Sequence, residues 1–169
     1  MPDLIVEDGT GSNPNANSYQ TVNDLRTYAA ERGVDVTGKL NDELEVLMIK
    51  AMDYLESKRD RYQGYTTSLD QPLQWPRFDV WDVEREGQML PSDEIPRLVR
   101  YAQLSLALEA LNEDLQPNPE KQGPVIKEKA GDVEITYSSE IKQNFTSAFA
   151  KPHALLAPLF KRSGLRVIK

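Results

Sequence analysis

The chain has 169 residues, of which 39% are hydrophobic, and this length suits one small domain with a modest core. Cysteine is absent, which excludes disulfides, cysteine-ligated zinc and thiol catalysis. No apolar run approaches the length of a signal peptide or a membrane span. We therefore expect a soluble, cytoplasmic protein without a membrane partner.

The net charge of −7 is distributed unevenly along the chain. Residues 139–169 contain six basic residues and one acidic residue, so this segment carries +5 and the rest of the chain carries −12. A basic tail on an acidic body favours docking on an acidic surface of a protein, a nucleic acid or a sister subunit. The alternative is a solvated tail. We expect a chain truncated after Tyr137 to stay folded.

Two amphipathic helices follow an N-terminal arm, residues 1–20, which is predicted to contain a brief strand and a loop rich in Gly, Asn and Pro. Thr21 is predicted to cap the first helix, which ends at Gly33. Asn41 is predicted to cap the second helix, which carries an apolar stripe and ends at Gly64. The stripe consists of Leu44, Leu47, Met48, Ala51 and Leu55.

The long connection from residue 65 to residue 91 contains the sequence Leu-Gln-Trp-Pro-Arg at positions 73–77. A tryptophan in a loop needs a pocket. We therefore predict that Trp75 is buried against the second and third helices or against an adjacent subunit, and that Arg77 forms an ion pair across this contact. The segment contains nothing typical of catalysis, and we interpret it as a packing or assembly device.

The third helix is predicted to begin after Ser92, with Pro96 tolerated in its first turn. From Leu98 to Leu111 its apolar residues cover more than one side. A helix with one solvent-facing side would not have this pattern, so we predict that it is the central helix or lies at a subunit interface.

The last third of the chain is predicted to contain a β-hairpin and a short helix. Residues 125–129 and 133–137 flank a turn, and this hairpin must pack on the helices or on a neighbour because an isolated hairpin is marginally stable. A short apolar helix, residues 153–160, is interrupted by Pro158. The predicted fold is mainly α, a small helical bundle with a β-hairpin and extended N- and C-terminal arms. Its parts are residues 1–20 (N-terminal arm), 21–116 (helical bundle), 117–138 (β-hairpin) and 139–169 (basic C-terminal docking arm).

No motif in the sequence supports catalysis. His153 is the only histidine, and we interpret it as a surface or packing residue because a zinc site or a Ser-His-Asp triad needs more partners. The segment Gly9-Thr10-Gly11 lacks the remainder of a nucleotide-binding loop. The acidic residues between Asp79 and Glu86 do not have the spacing of a calcium loop. We therefore predict that the protein is not an enzyme and has no cofactor or metal.

Several segments together resemble one family. They are Ile5-Val6-Glu7-Asp8-Gly9-Thr10-Gly11, Asn15-Ala16-Asn17-Ser18-Tyr19, Ala51–Leu55, Gln63-Gly64, Gln71–Arg77, Ile95-Pro96, Ala102-Gln103, Ala107-Leu108, Ala154–Leu159 and Arg166-Val167. Over nearly its whole length the chain resembles tailed-phage virion proteins that are described as DnaT-like single-stranded-DNA-binding proteins. In fold this family resembles the head–tail connector (adaptor) proteins of long-tailed phages.

The resemblance implies a small helical bundle that assembles as a ring, commonly a dodecamer, beneath the portal. Such a ring extends the DNA channel in the neck of the virion, after assembly in the host cytoplasm. The implied partners are the portal protein, further copies of the chain, a tail-side connector or stopper protein, and double-stranded DNA that passes through without sequence-specific binding. The residues that we expect at interfaces are Trp75, Pro76, Arg77, Leu155, Leu156, Leu159, Phe160, Lys161, Arg162 and Arg166.

The alternative function is that of a single-stranded-DNA-binding replication accessory protein. Aromatic side chains that stack on bases need a basic groove beside them to hold the phosphates. Seven aromatic residues that could stack on bases lie in the acidic part of the chain, so we interpret them as core or interface residues. They are Tyr19, Tyr28, Tyr54, Tyr62, Tyr65, Trp75 and Trp81.

Overall fold

The computed structural model describes residues 3–116, 128–130, 133–135 and 149–161. In chain order the elements are α1 (Val22–Ala30), α2 (Asn41–Glu56), β1 (Tyr65–Thr66), β2 (Arg77–Phe78), α3 (Arg97–Glu109), β3 (Glu128–Ala130), β4 (Val133–Ile135) and α4 (Ala150–Leu156). This part of the chain is mainly helical. None of the helices in these ranges is long and apolar enough to cross a membrane.

α3 is the central helix. It packs against α2 and α4, and α1 contacts both α2 and α3. The prediction of a central helix, made from its wide apolar surface, is confirmed. The buried residues of α3 are Val99, Ala102, Gln103, Leu104, Ser105, Leu106 and Ala107.

α1 and α2 begin close to the predicted caps. The Thr21 side chain accepts a hydrogen bond from the Asp24 N–H (3.2 Å), and the Asp24 carboxylate accepts one from the Thr21 N–H (2.8 Å). Together they form a capping box. The N-cap of α2 is Leu40 rather than Asn41, because the Glu43 carboxylate satisfies the Leu40 N–H (2.8 Å).

α2 ends earlier than predicted. Its last residue is Glu56, whereas the sequence pattern extended the helix to Gly64. The Ser57 hydroxyl donates to the Tyr54 carbonyl (2.6 Å), and such local bonds compete with continued helix. The chain then forms a 3₁₀ turn at Arg59–Arg61.

α3 begins later than predicted. Its first residue is Arg97 and its N-cap is Pro96, whereas we expected the helix to start after Ser92. The proline ring disfavours helical backbone at the residue before it, so Ile95 is kept out of the helix.

The segment that we interpreted as an irregular connection contains a small antiparallel sheet of β1 and β2. The paired residues are Tyr65 with Phe78 and Thr66 with Arg77. At the N-terminus, by contrast, the predicted strand is reduced to a single bridge between Val6 and Ser18.

Residues 80–90 form a second ordered part of this connection, which we call the 80–90 hairpin. The Leu90 N–H donates to the Val80 carbonyl (2.8 Å). Trp81 and Met89 form an antiparallel bridge. The hairpin therefore has a defined backbone even though it lies outside the two short sheets.

The predicted C-terminal hairpin is present as the antiparallel pair β3 and β4, with Glu128 opposite Ile135 and Ala130 opposite Val133. These strands are shorter than the predicted ones. The turn between them and the outer ends of the predicted strands lie outside the described residues.

Residues 149–161 belong to the helical body, and this corrects the prediction that they form part of a docking arm. α4 begins at Ala150, before the predicted helix 153–160, and a 3₁₀ turn at Ala157–Leu159 follows it. The apolar side chains of this segment find partners in their own chain. Phe149, Leu156, Leu159 and Phe160 are buried in the core.

Candidate functional site

Trp75 is buried inside its own chain, with only 1% of its surface exposed. Its ring meets the Tyr62 ring edge-on, with the centroids 5.7 Å apart. Its backbone N–H donates to the Tyr19 hydroxyl (3.0 Å). Trp75 was predicted to occupy a pocket in its own chain or in an adjacent subunit, and it occupies one in its own chain. The neighbouring Pro76 is also buried.

Arg77 is also buried, but the predicted ion pair is wrong. Its guanidinium donates to the backbone carbonyls of Gln63 (2.7 Å) and Gly64 (2.7 Å), and to the side chain of Gln74 (3.0 Å). Within the described ranges no carboxylate lies at ion-pair distance from it. Burial lowers the pKa of Arg77. Arg77 therefore holds the chain around Gly64 against β2 through carbonyls rather than through a charge partner.

A second polar anchor joins the N-terminal segment to α3. The Gln103 side chain accepts from the Tyr19 N–H (3.0 Å) and donates to the Ser18 hydroxyl (2.7 Å), and all three residues are buried. Burial raises the pKa of Tyr19 well above its ordinary value. The Tyr19 hydroxyl in turn supports Trp75, so a continuous buried network runs from α3 to the Trp75 loop.

The glycine-rich N-terminal loop closes on a carboxylate of its own chain. The N–H groups of Gly9 (3.1 Å) and Gly11 (2.8 Å) both donate to one carboxylate oxygen of Glu7, which is buried. These backbone donors would otherwise be free to hold a phosphate. Gly9 and Gly11 therefore stabilise the fold of the N-terminal loop through Glu7.

The exposed part of the connection is the 80–90 hairpin. Trp81 is 52% exposed and Met89 is 50% exposed, and Val83 lies on the surface beside them. We call these three residues the hairpin surface. The sequence alone did not distinguish this surface, because both tryptophans were interpreted as core or interface residues. The signal that could have found it is the adjacency of Val80 and Trp81, since successive side chains of an extended segment point to opposite sides, so Trp81 faces outward when Val80 faces the core.

The hairpin is held firmly on the body. Val80, its first residue, is fully buried in the core. The Trp81 N–H donates to the side-chain oxygen of Gln63 (3.2 Å), and the amide nitrogen of the same Gln63 donates to the Pro158 carbonyl (2.9 Å). A single glutamine therefore connects the hairpin to the segment that follows α4.

A cleft of about 630 Å³ opens between the hairpin and the body. We call it the hairpin cleft. Its walls combine acidic, apolar and backbone groups. Outside the cleft, the exposed rings of Tyr65 in β1 and Phe78 in β2 form a pair with their centroids 5.6 Å apart. The lining residues are Gln63, Gly64, Asp79, Trp81, Asp82, Val83, Glu86, Gly87 and Lys161.

A basic cluster lies at the end of α2, next to α4. The Lys58 ammonium is 4.3 Å from the Tyr54 ring centroid, and the Arg61 guanidinium is 4.3 Å from the Phe160 ring centroid. His153 contacts the Tyr54 hydroxyl through Nε2 (3.0 Å). Burial, together with the charges of Arg61 and Lys58, lowers the pKa of His153. His153 is thus a packing residue, as predicted.

The predicted interface residues of the C-terminal segment differ in their burial. Leu156, Leu159 and Phe160 lie in the core, Leu155 is partly buried against it, and Lys161 is exposed. Arg162 and Arg166 lie outside the described residues. Among the described side chains, no group of three His, Asp or Glu residues is placed to hold a metal ion.

A family described as "Putative DnaT-like ssDNA binding protein" matches residues 2–168, and the chain belongs to this family. Comparisons with curated proteins and with solved structures found no match.

Proposed function

We propose that the protein is a structural, non-enzymatic assembly protein, and specifically a head–tail adaptor that forms a ring beneath the portal of a tailed phage. The hairpin surface is the observation that carries this proposal. Scattered exposed apolar residues are normal on a protein, but three of them grouped on one anchored hairpin are typical of a contact surface. Tryptophan and methionine are also enriched in protein interfaces.

The charges around the hairpin favour a protein partner. Asp79, Asp82, Glu84 and Glu86 surround the hairpin surface, and the chain as a whole carries −7. Such a surface repels phosphates, which suits a ring through which double-stranded DNA passes without being bound. The proposed protein partners are the portal protein, neighbouring copies of the chain and a tail-side connector or stopper protein.

The test is binding of the purified protein to portal-containing heads, measured by cosedimentation. A Trp81→Ala/Val83→Ser variant should bind at least tenfold more weakly, a loss of about 1.4 kcal/mol. The matched control is Leu69→Ser, since Leu69 is fully exposed but lies outside the hairpin. Wild-type protein that does not bind heads would contradict the proposal.

The second candidate function is single-stranded DNA binding, which the family description favours. The exposed Tyr65–Phe78 pair offers ring faces for bases, and the basic cluster of Lys58 and Arg61 offers positive charge for phosphates. A titration with a labelled oligonucleotide at two salt concentrations tests this. Sub-micromolar binding that weakens strongly with salt and is lost in Tyr65→Ala would establish this function and overturn the adaptor proposal.

A further inference from the structure

We propose that the hairpin cleft receives residues 162–169 of a second copy of this chain. The inference rests on the proposed assembly function, and it names the segment that occupies the hairpin surface.

The cleft offers two kinds of contact. Three carboxylates, Asp79, Asp82 and Glu86, outnumber the one basic lining residue, Lys161, so the cleft is acidic. Trp81 and Val83 supply apolar surface that is partly exposed. The Asp82 side chain is fixed, because its carboxylate accepts from the Glu84 N–H (2.9 Å). A ligand of this cleft should therefore be basic and aliphatic together.

Residues 162–169 have this composition. They contain three basic residues and no acidic residue, and Leu165 and Val167 alternate with Arg166 as in an extended segment with one apolar side. Fully extended, eight residues reach roughly 26 Å, which is enough to leave one subunit and enter another. The basic residues would steer the segment and set its register, and the aliphatic residues would cover Trp81.

The backbone direction favours a second copy over the segment's own chain. Phe160 pairs antiparallel with Tyr62, and the Lys161 N–H donates to the Arg61 carbonyl (2.7 Å). Lys161 itself lines the cleft, and the described backbone from Leu159 to Lys161 runs alongside Gln63, Tyr62 and Arg61 in that order. At its last described residue the backbone therefore runs away from Gln63 and Gly64, which form the opposite part of its own cleft.

Each copy then supplies one segment and one cleft. Such a contact is heterologous, and it closes into a ring where the rotation between copies allows. Repetition of a weak contact around a ring increases its overall strength.

Acrylamide quenching of Trp81 in the full-length protein tests the inference. The chain has two tryptophans, and Trp81→Phe supplies the baseline of buried Trp75. We expect Trp81 to be protected at high protein concentration and to become quenchable on dilution. Arg166→Glu should remove the protection. Glu86→Lys should remove it too. An equal mixture of the two single variants should regain protection, because each variant's segment then meets a cleft of opposite charge on the other variant. The Arg166→Glu/Glu86→Lys double variant should restore it.

Two outcomes would overturn the inference. Protection that is lost in Arg166→Glu but does not change on dilution means that the segment occupies its own cleft. Trp81 that is equally quenchable in wild type and Arg166→Glu at every concentration means that the segment does not reach the hairpin. In the second case, wild-type protein that still binds portal-containing heads would leave the adaptor function standing.

Discussion

Trp75 and Trp81 lie six residues apart in the same connection, yet one is buried and the other is half exposed. Trp75 is fixed by Tyr62 and Tyr19, and its loop is tied to the body through Arg77. Trp81 stands on the hairpin with its ring on the surface. The difference shows that the two halves of one connection have different roles. The half with Trp75 packs in the core, and the half with Trp81 places apolar side chains on the surface.

The largest effect that bears on this comparison is expected from removal of residues 138–169. Tyr62 packs on both Trp75 and Phe160, so the segment after α4 supports the pocket of Trp75. Each large apolar side chain lost contributes roughly 1.5–3 kcal/mol, and total stabilities are about 5–15 kcal/mol. We now expect a chain truncated after Tyr137 to lose its cooperative thermal unfolding in circular dichroism. A cooperative transition near the wild-type temperature would show that residues 149–161 are dispensable.

Substitution of the two tryptophans tests the comparison itself. Trp75→Ala should destabilise the fold by roughly 3–5 kcal/mol because it leaves a cavity against Tyr62. Trp81→Ala should change the free energy of unfolding by less than about 1 kcal/mol, since half of its ring is already in water. Urea denaturation measures both values. Equal losses for the two variants would remove the distinction between core and surface.

Substitution of Gly64 tests whether the close approach of the chain to β2 contributes to stability. Its φ is +60°, and a Cβ there would overlap the carbonyl oxygen of Phe78. Gly33 has a similar φ of +68° but open space around it, so Gly33→Ala measures the cost of the backbone conformation alone, roughly 1–2 kcal/mol. Gly64→Ala should cost roughly 1–3 kcal/mol more because the strands must separate. If both variants unfold at the same urea concentration, the close approach does not constrain the loop.

The smallest expected effect is the pH dependence contributed by His153, which lies in the body and not in the hairpin. Its pKa is lowered from 6.5 by burial and by nearby cations, so the unfolded chain takes up a proton at a higher pH than the folded chain does. Its contribution to stability is therefore complete above pH 6.5 and falls as the pH decreases through the window below 6.5. Thermal unfolding at about pH 8 and about pH 5 should show a steeper loss for wild type than for His153→Gln. Parallel losses in the two proteins would contradict this assignment.

Sequence patterns predicted the framework well wherever a local signal and the tertiary contacts agreed. The Thr21 cap, the stripe of α2 and the central position of α3 all follow from spacing and side-chain type. The burial of Trp75 followed from the need of a large ring for a pocket. Boundaries were less predictable, because Pro96 and Ser57 act through backbone geometry rather than through hydrophobic spacing.

The two main errors have a common cause. The segment 149–161 looked like a separate arm because of the basic residues around it, but its apolar side chains pack on Tyr54 and Tyr62, which lie far away in sequence. Arg77 looked like half of an ion pair, but backbone carbonyls that only the fold brings together satisfy it. Contacts between distant segments decided both cases, and no local pattern encodes them.

Electron microscopy of virions at a resolution that separates helices tests the central claim most directly. The adaptor account predicts a ring of copies beneath the portal into which α1–α4 fit, with the 80–90 hairpin and Trp81 at a contact between subunits or with the portal. Purified virions that lack this chain, or a ring in which the hairpin faces only solvent, would contradict the account.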